Sequence, residues 1–399
     1  MNVAFQTFGC RLNRAEALDH EARLLAEGHT VVSLEDETPP DLIVVRGCSV
    51  TAKAERDCRK AIARLHARFP SARIEITGCL KSHTPNPAPN SRLQTPNSKL
   101  PTPIPLRTAR AYLKIQDGCS GRCAFCIVPS FRGKPRSVPF GQVLARAQAF
   151  LSAGYREIVV TGCNLALYRD SGHGLADVLA ALATMGTDPM RKHRIRLSSL
   201  EPGVCDKAVL DAFAAHHNIC RFIHLSVQSG SNAVLKRMNR PYSIEAVDRF
   251  CNAATRILGP RLALGADIIT GFPGETEEDF AATHDFIIRH PFANLHVFPY
   301  SERPGTPATT MDGVVAPAVR RARAKDLENI GRIKRESFAK AFLGQDVEVC
   351  IEHDGTGWTA EYLKCSVKDS KRSLSRRCLV KGRVVKIDGD DLLAIPSAD

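Results

Sequence analysis

A chain of 399 residues that is 44% hydrophobic and 24% charged has enough apolar residues for two or three packed domains, which excludes wholesale disorder. No run approaches eighteen apolar residues, so a membrane partner is excluded. The opening Met1-Asn2-Val3-Ala4-Phe5-Gln6-Thr7-Phe8 reads as a buried strand rather than a secretory signal. The net charge of +13 points either to an anionic partner, nucleic acid first, or to a plainly soluble basic surface.

Residues 1–80 alternate apolar runs with helical spacing. Strands are expected at Val3–Phe8, Thr30–Leu34, Asp41–Val45 and Arg73–Thr77, and helices at Ala15–Glu27 and Thr51–Arg68. That is the pattern of a small open α/β layer on a mainly parallel sheet. Residues 81–106 break it. Seven prolines fall between Pro85 and Pro105, and Thr-Pro-Asn occurs at Thr84 and again at Thr95, so this tract reads as a linker or insertion.

From residue 107 to about 340 strand and helix alternate again. Strands are expected at Ala111–Gln116, Glu157–Thr161, Arg194–Ser198, Phe222–Val227, Leu262–Thr270 and Asn294–Pro299. Helices are expected at Pro139–Ala153, Ser231–Met238 and Ser243–Leu258, with a long charged helix over Ala316–Leu343. Six such repeats predict a partial (β/α)6 barrel with its chemistry at the carboxyl ends of the strands. Residues 341–399 switch to short β-rich runs, at Gln345–Glu352, Gly357–Cys365, Cys378–Ile387 and Leu392–Ile395, which predict a small antiparallel β-barrel.

Fourteen cysteines in a chain of this kind argue for metal binding rather than a disulfide scaffold. Cys58, Cys205, Cys220, Cys251, Cys350, Cys365 and Cys378 read as small buried apolar residues, whereas Cys163 lies in a loop of interest. Cys119, Cys123 and Cys126 follow the first barrel strand within eight residues. Three thiolates on one loop can hold three irons of a cubane and leave the fourth open to a small molecule. The other readings are a zinc site or an incidental group of buried cysteines. Structural zinc takes four ligands, and no fourth Cys or His lies nearby in sequence.

Cys10, Cys48 and Cys79 each follow a predicted strand, and each is preceded by a glycine (Gly9, Gly47 and Gly78). Carboxyl-end loops of an open parallel sheet converge, so these three thiolates are expected to hold a second cubane; three unrelated buried cysteines are the alternative. Strand ends in the barrel add polar or glycine positions for a ligand: Thr161 and Gly162, Glu201, Gln228, and Gly271.

The C-x3-C-x2-C loop resembles the radical S-adenosylmethionine (SAM) superfamily. Phe8-Gly-Cys-Arg-Leu-Asn13, Arg46-Gly-Cys-Ser-Val-Thr51, Gly78-Cys79, Arg132-Gly-Lys-Pro-Arg-Ser137, Leu197-Ser-Ser-Leu-Glu-Pro202, His224-Leu-Ser-Val-Gln-Ser-Gly-Ser231, Leu235-Lys-Arg-Met-Asn-Arg240 and His296-Val-Phe-Pro-Tyr-Ser301 are similar to its methylthiotransferases. The nearest branch acts on N(6)-threonylcarbamoyladenosine in tRNA. Gly344-Gln-Asp-Val-Glu-Val349 and Trp358-Thr-Ala-Glu-Tyr-Leu363 resemble the TRAM module, an RNA-binding β-barrel. Two departures stand out: Arg46-Gly47 before the second cysteine, where the family usually has Asn-Thr, and the Pro-rich tract where the family completes its first domain.

The resemblance implies two [4Fe-4S] clusters and two SAM molecules. One SAM methylates a sulfur at the N-terminal cluster, and the other, cleaved at the Cys119/Cys123/Cys126 cluster, yields a radical that takes hydrogen from carbon 2 of the adenine. It also implies the tRNA anticodon stem-loop as partner, an electron donor of the flavodoxin or ferredoxin type, and a cytoplasmic setting. The rival readings are methylthiolation of isopentenyladenosine or of a ribosomal-protein aspartate, and a non-catalytic iron–sulfur protein that binds RNA. Nine Lys/Arg against one acid in Lys364–Lys386 favour RNA, with Trp358 and Tyr362 as base-stacking candidates. The seven basic residues of Arg320–Glu336 read as a solvated helix face.

Overall fold

The computed structural model describes residues 1–80, 108–186, 192–202, 207–368 and 374–397. The 81–106 tract and Cys205 lie outside the described residues. At the amino end, β1 (Asn2–Thr7), α1 (Arg11–Ala26), β2 (Thr30–Val31), β3 (Leu42–Gly47), α2 (Ala52–Arg68) and β4 (Arg73–Gly78) form a parallel sheet of order β2-β1-β3-β4. The Leu-Ile-Val-Val run of β3 is buried on both faces, as a central parallel strand requires. The second strand is shorter than the expected Thr30–Leu34. The chain turns at Ser33, whose amide donates to Asp36 Oδ2 at 2.6 Å, and the sheet ends there.

The middle of the chain runs β5 (Ala111–Lys114), β6 (Gln116–Asp117), α3 (Val128–Arg132), β7 (Arg136–Ser137), α4 (Phe140–Ser152), β8 (Glu157–Thr161), α5 (Leu175–Ala183), β9 (Arg194–Leu197), α6 (Lys207–Ala215), β10 (Phe222–Gln228), α7 (Asn232–Arg237), α8 (Ile244–Leu258), β11 (Ala263–Thr270), α9 (Glu277–Arg289) and β12 (Phe292–Pro299). Two parallel sheets, β5-β8-β9 and β10-β11-β12, are joined by bridges between Ile195 and Ile219 and between Leu200 and Leu225. The result is the expected partial six-stranded barrel, unpaired between β5 and β12. Strand alternation sorts its faces. Ile158, Val160, Ile195, Leu225, Leu264 and Val297 point outward into one core with the helices. The concave face carries Tyr112 and Val159, against which Ala15 and Leu18 of α1 pack.

The helix α10 (Pro317–Lys340) lies along β12, where Gly331 brings its backbone close to Leu295. Its basic residues are only in part the solvated face expected from sequence: Arg321, Lys325 and Arg332 are exposed, but others are engaged. Arg320 pairs with Glu302, Arg323 pairs with Glu275 and Glu277, and Lys334 donates to the carbonyls of Ile288 and His290. Then β13 (Asp346–His353), β14 (Thr356–Thr359), β15 (Lys364–Val367), β16 (Leu379–Asp388) and β17 (Asp391–Pro396) close a barrel of order β13-β14-β15-β17-β16. Its pairs are antiparallel except β15 with β17, which is parallel. The expected run Gly357–Cys365 is two strands, because the chain turns at Tyr362, which sits at φ 65°.

This barrel seats on the amino ends of the central strands. Glu157, fully buried, accepts from Arg194 Nε at 2.6 Å and Arg196 Nε at 2.7 Å, with Arg110 3.9 Å away. The same two arginines donate onward to the carbonyls of Glu348, Trp358 and Thr359. Burial alone would raise the Glu157 carboxyl, but Arg194, Arg196 and Arg110 outweigh it and hold it far below the usual carboxylate range. Glu157→Ala leaves these arginines buried without their anion. It is expected to cost about 3–5 kcal/mol in denaturant unfolding, and more than Glu352→Ala at the half-exposed rim of the same group.

Candidate functional site

Cys119, Cys123 and Cys126 lie on the loop from β6 to α3. Gly118, at φ 71°, begins it with its α-carbon against the backbone of Lys134, where a side chain has no room. The Gly121 amide donates to Cys119 Sγ at 3.2 Å, and Gly121 has the sulfurs of both Cys119 and Cys123 beside it. Arg240 Nη1 reaches Cys123 Sγ at 2.9 Å, and its Nη2 pairs with Glu201 Oε1 at 3.0 Å. Glu201 Oε2 accepts from Asn164 Nδ2 at 2.5 Å, and the Asn164 amide donates to Gln116 Oε1 at 2.9 Å. A polar chain thus runs from three strand ends to the cysteine loop. Burial pushes the Cys126 thiol up to about 11 and raises that of Cys119; the neighbouring Cys123 adds to both.

Cys10, Cys48 and Cys79 follow β1, β3 and β4 on one rim of the N-terminal sheet, where Gly47 and Gly78 are register partners. Gly9, at φ 87°, lies against Cys48, and a Cβ there would come within 2.7 Å of that residue's Cβ. The Cys79 amide donates to the Gly47 carbonyl at 3.1 Å, and Ser49 Oγ donates to the Cys79 carbonyl at 2.9 Å. Burial raises the Cys48 thiol to about 11, and the nearby Cys10 and Cys79 add to it. The unusual Gly47 has a local cause: a Cβ would lie 2.5 Å from Leu80 Cβ, so glycine at 47 and leucine at 80 fill one space.

The two loops meet. Arg132, six residues after Cys126, donates to Glu16 of α1 at 2.7 Å, to Asp117 at 3.1 Å and to Asn13 at 3.3 Å, and it lies 3.9 Å from Cys79 Sγ. Lys114 pairs with the same two carboxylates at 2.8 and 2.6 Å, and Arg46 with Glu16 at 2.7 Å. Three buried cations face two carboxylates, which leaves positive charge beside the Cys79 sulfur. Cys163, of uncertain role in the sequence, donates to Asp117 Oδ1 at 3.3 Å, and burial raises its thiol.

The donor sets fit clusters better than single ions. Among the described residues, the only Cys, His, Asp and Glu trio whose ligand atoms lie within 4.8 Å of one another is His224, Asp267 and His296. The cysteine trios do not share that spacing, and a cubane, which carries each of three thiolates on a separate iron, suits a set of three. Amide and guanidinium donors aimed at the sulfurs are the contacts that tune such a cluster.

The structure brings Glu201 to the Cys119 loop and sets Thr161 and Gly162 at the end of β8, with Gly162 against Gln116. Gln228 ends β10 at φ 72°, a left-handed conformation unusual for glutamine, beside a break in strand register. Gly271 faces elsewhere. Its amide donates to Glu275 Oε1 at 2.8 Å, and a side chain there would collide with Arg320, so this glycine admits α10. Trp358 and Tyr362 are not free stacking platforms. They stack on each other at 4.6 Å, with Arg11 and Arg196 over Tyr362, Arg110 over Trp358 and Phe222 beside Tyr362. Sequence reasoning missed Arg240, Arg132, Asn13 and Glu16 as parts of the site. For Arg240, Arg132 and Asn13 the one signal was position inside the resembling segments; Glu16 lies outside them.

Asp117 is a test of the junction. Burial would raise its carboxyl, but Lys114 and Arg132 prevail and bring it down to about 2; Glu16 is lowered by the same cations and Arg46. A carboxyl depressed in the folded state stabilises above its ordinary value and loses that contribution as pH falls through its folded value. Urea unfolding of the wild type is therefore expected to lose about 2 kcal/mol through Asp117 between about pH 4 and pH 2. Asp117→Asn removes that portion of the acid limb and is less stable at neutral pH.

Residues 113–287 match the Radical SAM superfamily, and residues 2–94 match a family described as Uncharacterized protein family UPF0004. The chain is 30% identical to the threonylcarbamoyladenosine tRNA methylthiotransferase MtaB of Aquifex aeolicus, over 91% of this chain and 96% of that one. It is 31% identical to MtaB of Bacillus subtilis, over 96% and 94%. It is also 31% identical to the tRNA-2-methylthio-N(6)-dimethylallyladenosine synthase of Corynebacterium efficiens, over 88% and 74%. In fold it resembles the radical SAM methyltransferase TsrM of Kitasatospora setae, with a TM-score of 0.56 at 16% identity over 77% of this chain and 76% of that one. On a likeness in sequence that spans nearly the whole of both chains, the protein belongs to the radical SAM methylthiotransferase family.

Proposed function

We propose that the protein methylthiolates carbon 2 of N(6)-threonylcarbamoyladenosine beside the anticodon of tRNA. The observation that carries this reading is the reach of Arg132, on the short helix that follows the Cys119/Cys123/Cys126 loop, to Cys79 Sγ of the other trio, between Glu16 of the N-terminal layer and Asp117 of the barrel. The relatives that bear the threonylcarbamoyladenosine name, and the Ser-Ser-Leu-Glu-Pro and His-Val-Phe-Pro-Tyr-Ser segments, support the substrate.

In this reading Cys119, Cys123 and Cys126 hold one [4Fe-4S] cluster with SAM, and Cys10, Cys48 and Cys79 hold a second that carries the sulfur to be transferred. Bound there, these groups supply one-electron cleavage of a sulfonium and a methylated sulfur, which suits a ring carbon whose hydrogen no side-chain base can remove. Arg240 holds Cys123 and Glu201 in fixed relation, and Thr161, Gly162 and Gln228 line strand ends toward SAM. Arg132 offsets the negative charge of the Cys79 thiolate beside it, while Lys114 pairs with Glu16 and Asp117. Residues 1–80 serve sulfur, 107–340 the radical chemistry and 341–399 RNA, with an electron donor of the flavodoxin or ferredoxin type supplying reducing equivalents. On β16, alternation turns Lys381 and Arg383 outward while Val384 points into the barrel, which offers phosphate contacts.

The match to a dimethylallyladenosine synthase favours isopentenyladenosine as the second reading. Nucleoside mass spectrometry of tRNA incubated with reconstituted protein, SAM and reductant decides between them. The methylthio form of threonylcarbamoyladenosine is the expected product; product on isopentenyladenosine alone, or on no RNA, refutes the proposal. Cys48→Ala is expected to lower iron by about four per chain and to lose methylthio product while SAM cleavage persists. Cys123→Ala is expected to abolish both.

A further inference from the structure

We propose that His296, with Asn294 and Phe298 on the same face of β12, is the subsite that reads the substituent on the amino nitrogen of the target adenosine, and that it is built for a polar substituent bearing amide and carboxylate groups. This deepens the function proposed above and rests on it. β12 borders the unclosed side of the barrel, and Leu295 and Val297 turn toward α10 and the core. By alternation Asn294, His296 and Phe298 face the concave side. The side chain of His296 is 51% exposed and Phe298 is 41% exposed, unusual for neighbours on an inner barrel face.

His296 is nonetheless held. Its Nδ1 lies 3.2 Å from Asp267 Oδ1, which also takes His224 Nε2 at 2.9 Å, while Ser226 Oγ donates to Oδ2 at 3.4 Å. Burial would raise the Asp267 carboxyl, but the two histidines hold it well below the usual range, so it remains an acceptor. An acceptor at Nδ1 fixes that nitrogen as the protonated one and leaves Nε2, 3.4 Å from Asn294 Nδ2, for a ligand. The subsite is also tied to the radical loop. The Ser226 carbonyl accepts from Tyr242 at 2.6 Å and from Arg240 at 3.3 Å, and Arg240 holds Cys123.

A threonylcarbamoyl group offers an amide, a carboxylate and a hydroxyl to Nε2 and to the Asn294 amide. An isopentenyl group offers none, so His296 Nε2 and the Asn294 amide nitrogen would keep their long mutual contact of 3.4 Å and gain no partner in the hydrocarbon. Phe298 gives the adenine a ring to stack on.

The test is binding of the cluster-reconstituted full chain to two anticodon stem-loops that differ only in this substituent, threonylcarbamoyl or isopentenyl. The wild type is expected to favour the threonylcarbamoyl RNA by about tenfold or more, the size of one lost hydrogen bond with its partner left unpaired. His296→Ala and Asn294→Ala should each bring the ratio of Kd values toward one, and His296→Gln should retain part of it. Asn294→Ala leaves the contacts of Asp267 in place and so separates recognition from a folding defect. A wild-type ratio of one overturns the inference, as does equal weakening of both RNAs in both alanine variants. Methylthio product is read separately. Product on the threonylcarbamoyl RNA without a binding preference overturns this inference alone, whereas a wild type that modifies neither RNA overturns the function on which it rests.

Discussion

Arg132 between Glu16 and Asp117 is the contact on which the geometry of the site depends. Its guanidinium can meet two carboxylates at once because it is planar and forked, and both carboxylates come from different layers of the molecule. Buried charges of this kind are tolerated only when every partner is present. Lys114 and Arg46 complete the set, and the cation left over stands beside Cys79. The short helix α3 makes this local: it begins just after Cys126 and ends on Arg132, so the loop that presents one trio of sulfurs also docks on the other.

The partial barrel is arranged around this junction. Its convex face is apolar and covered by helices, and its concave face is apolar under α1 but polar at His224, Ser226, Asp267 and His296. α1 enters the concave side against β5 and β8, while the C-terminal barrel closes the amino ends through Glu157 and its arginines. The side between β5 and β12 has no strand pairing. The N-terminal layer is tied to the loop after β12, where Arg303 pairs with Glu55 at 2.6 Å and the Ala52 amide donates to Ser301 at 3.1 Å. The loop that follows β12 therefore ties the N-terminal layer to the unpaired side of the barrel.

Much of this was legible along the chain. Apolar runs of strand length between helical patterns marked the parallel layer and the six barrel strands, because burial on both faces leaves a continuous apolar signature. The cysteines were legible because each trio stands at strand ends with glycine or close spacing. What failed to show had partners far off in sequence. The basic residues of α10 read as solvated, yet Arg320 and Arg323 are buried on carboxylates from other loops. Trp358 and Tyr362 read as base-stacking candidates, yet they stack on each other and arginines from α1, β9 and residue 110 lie over their rings. Gly271 read as a strand-end position for a ligand, and the packing of Arg320 against its α-carbon was not legible.

By itself the sequence determined the element order, the places of the two cysteine trios at strand ends and the family, since these rest on local periodicity, spacing and motif. Only the tertiary structure decided which charges neutralise one another, which aromatics stack together, and that Arg132 and Arg240 reach cysteine sulfurs. Ion pairing and stacking act over a few ångströms in space between residues scores to hundreds of positions apart, and no pattern along the chain records which of them will meet.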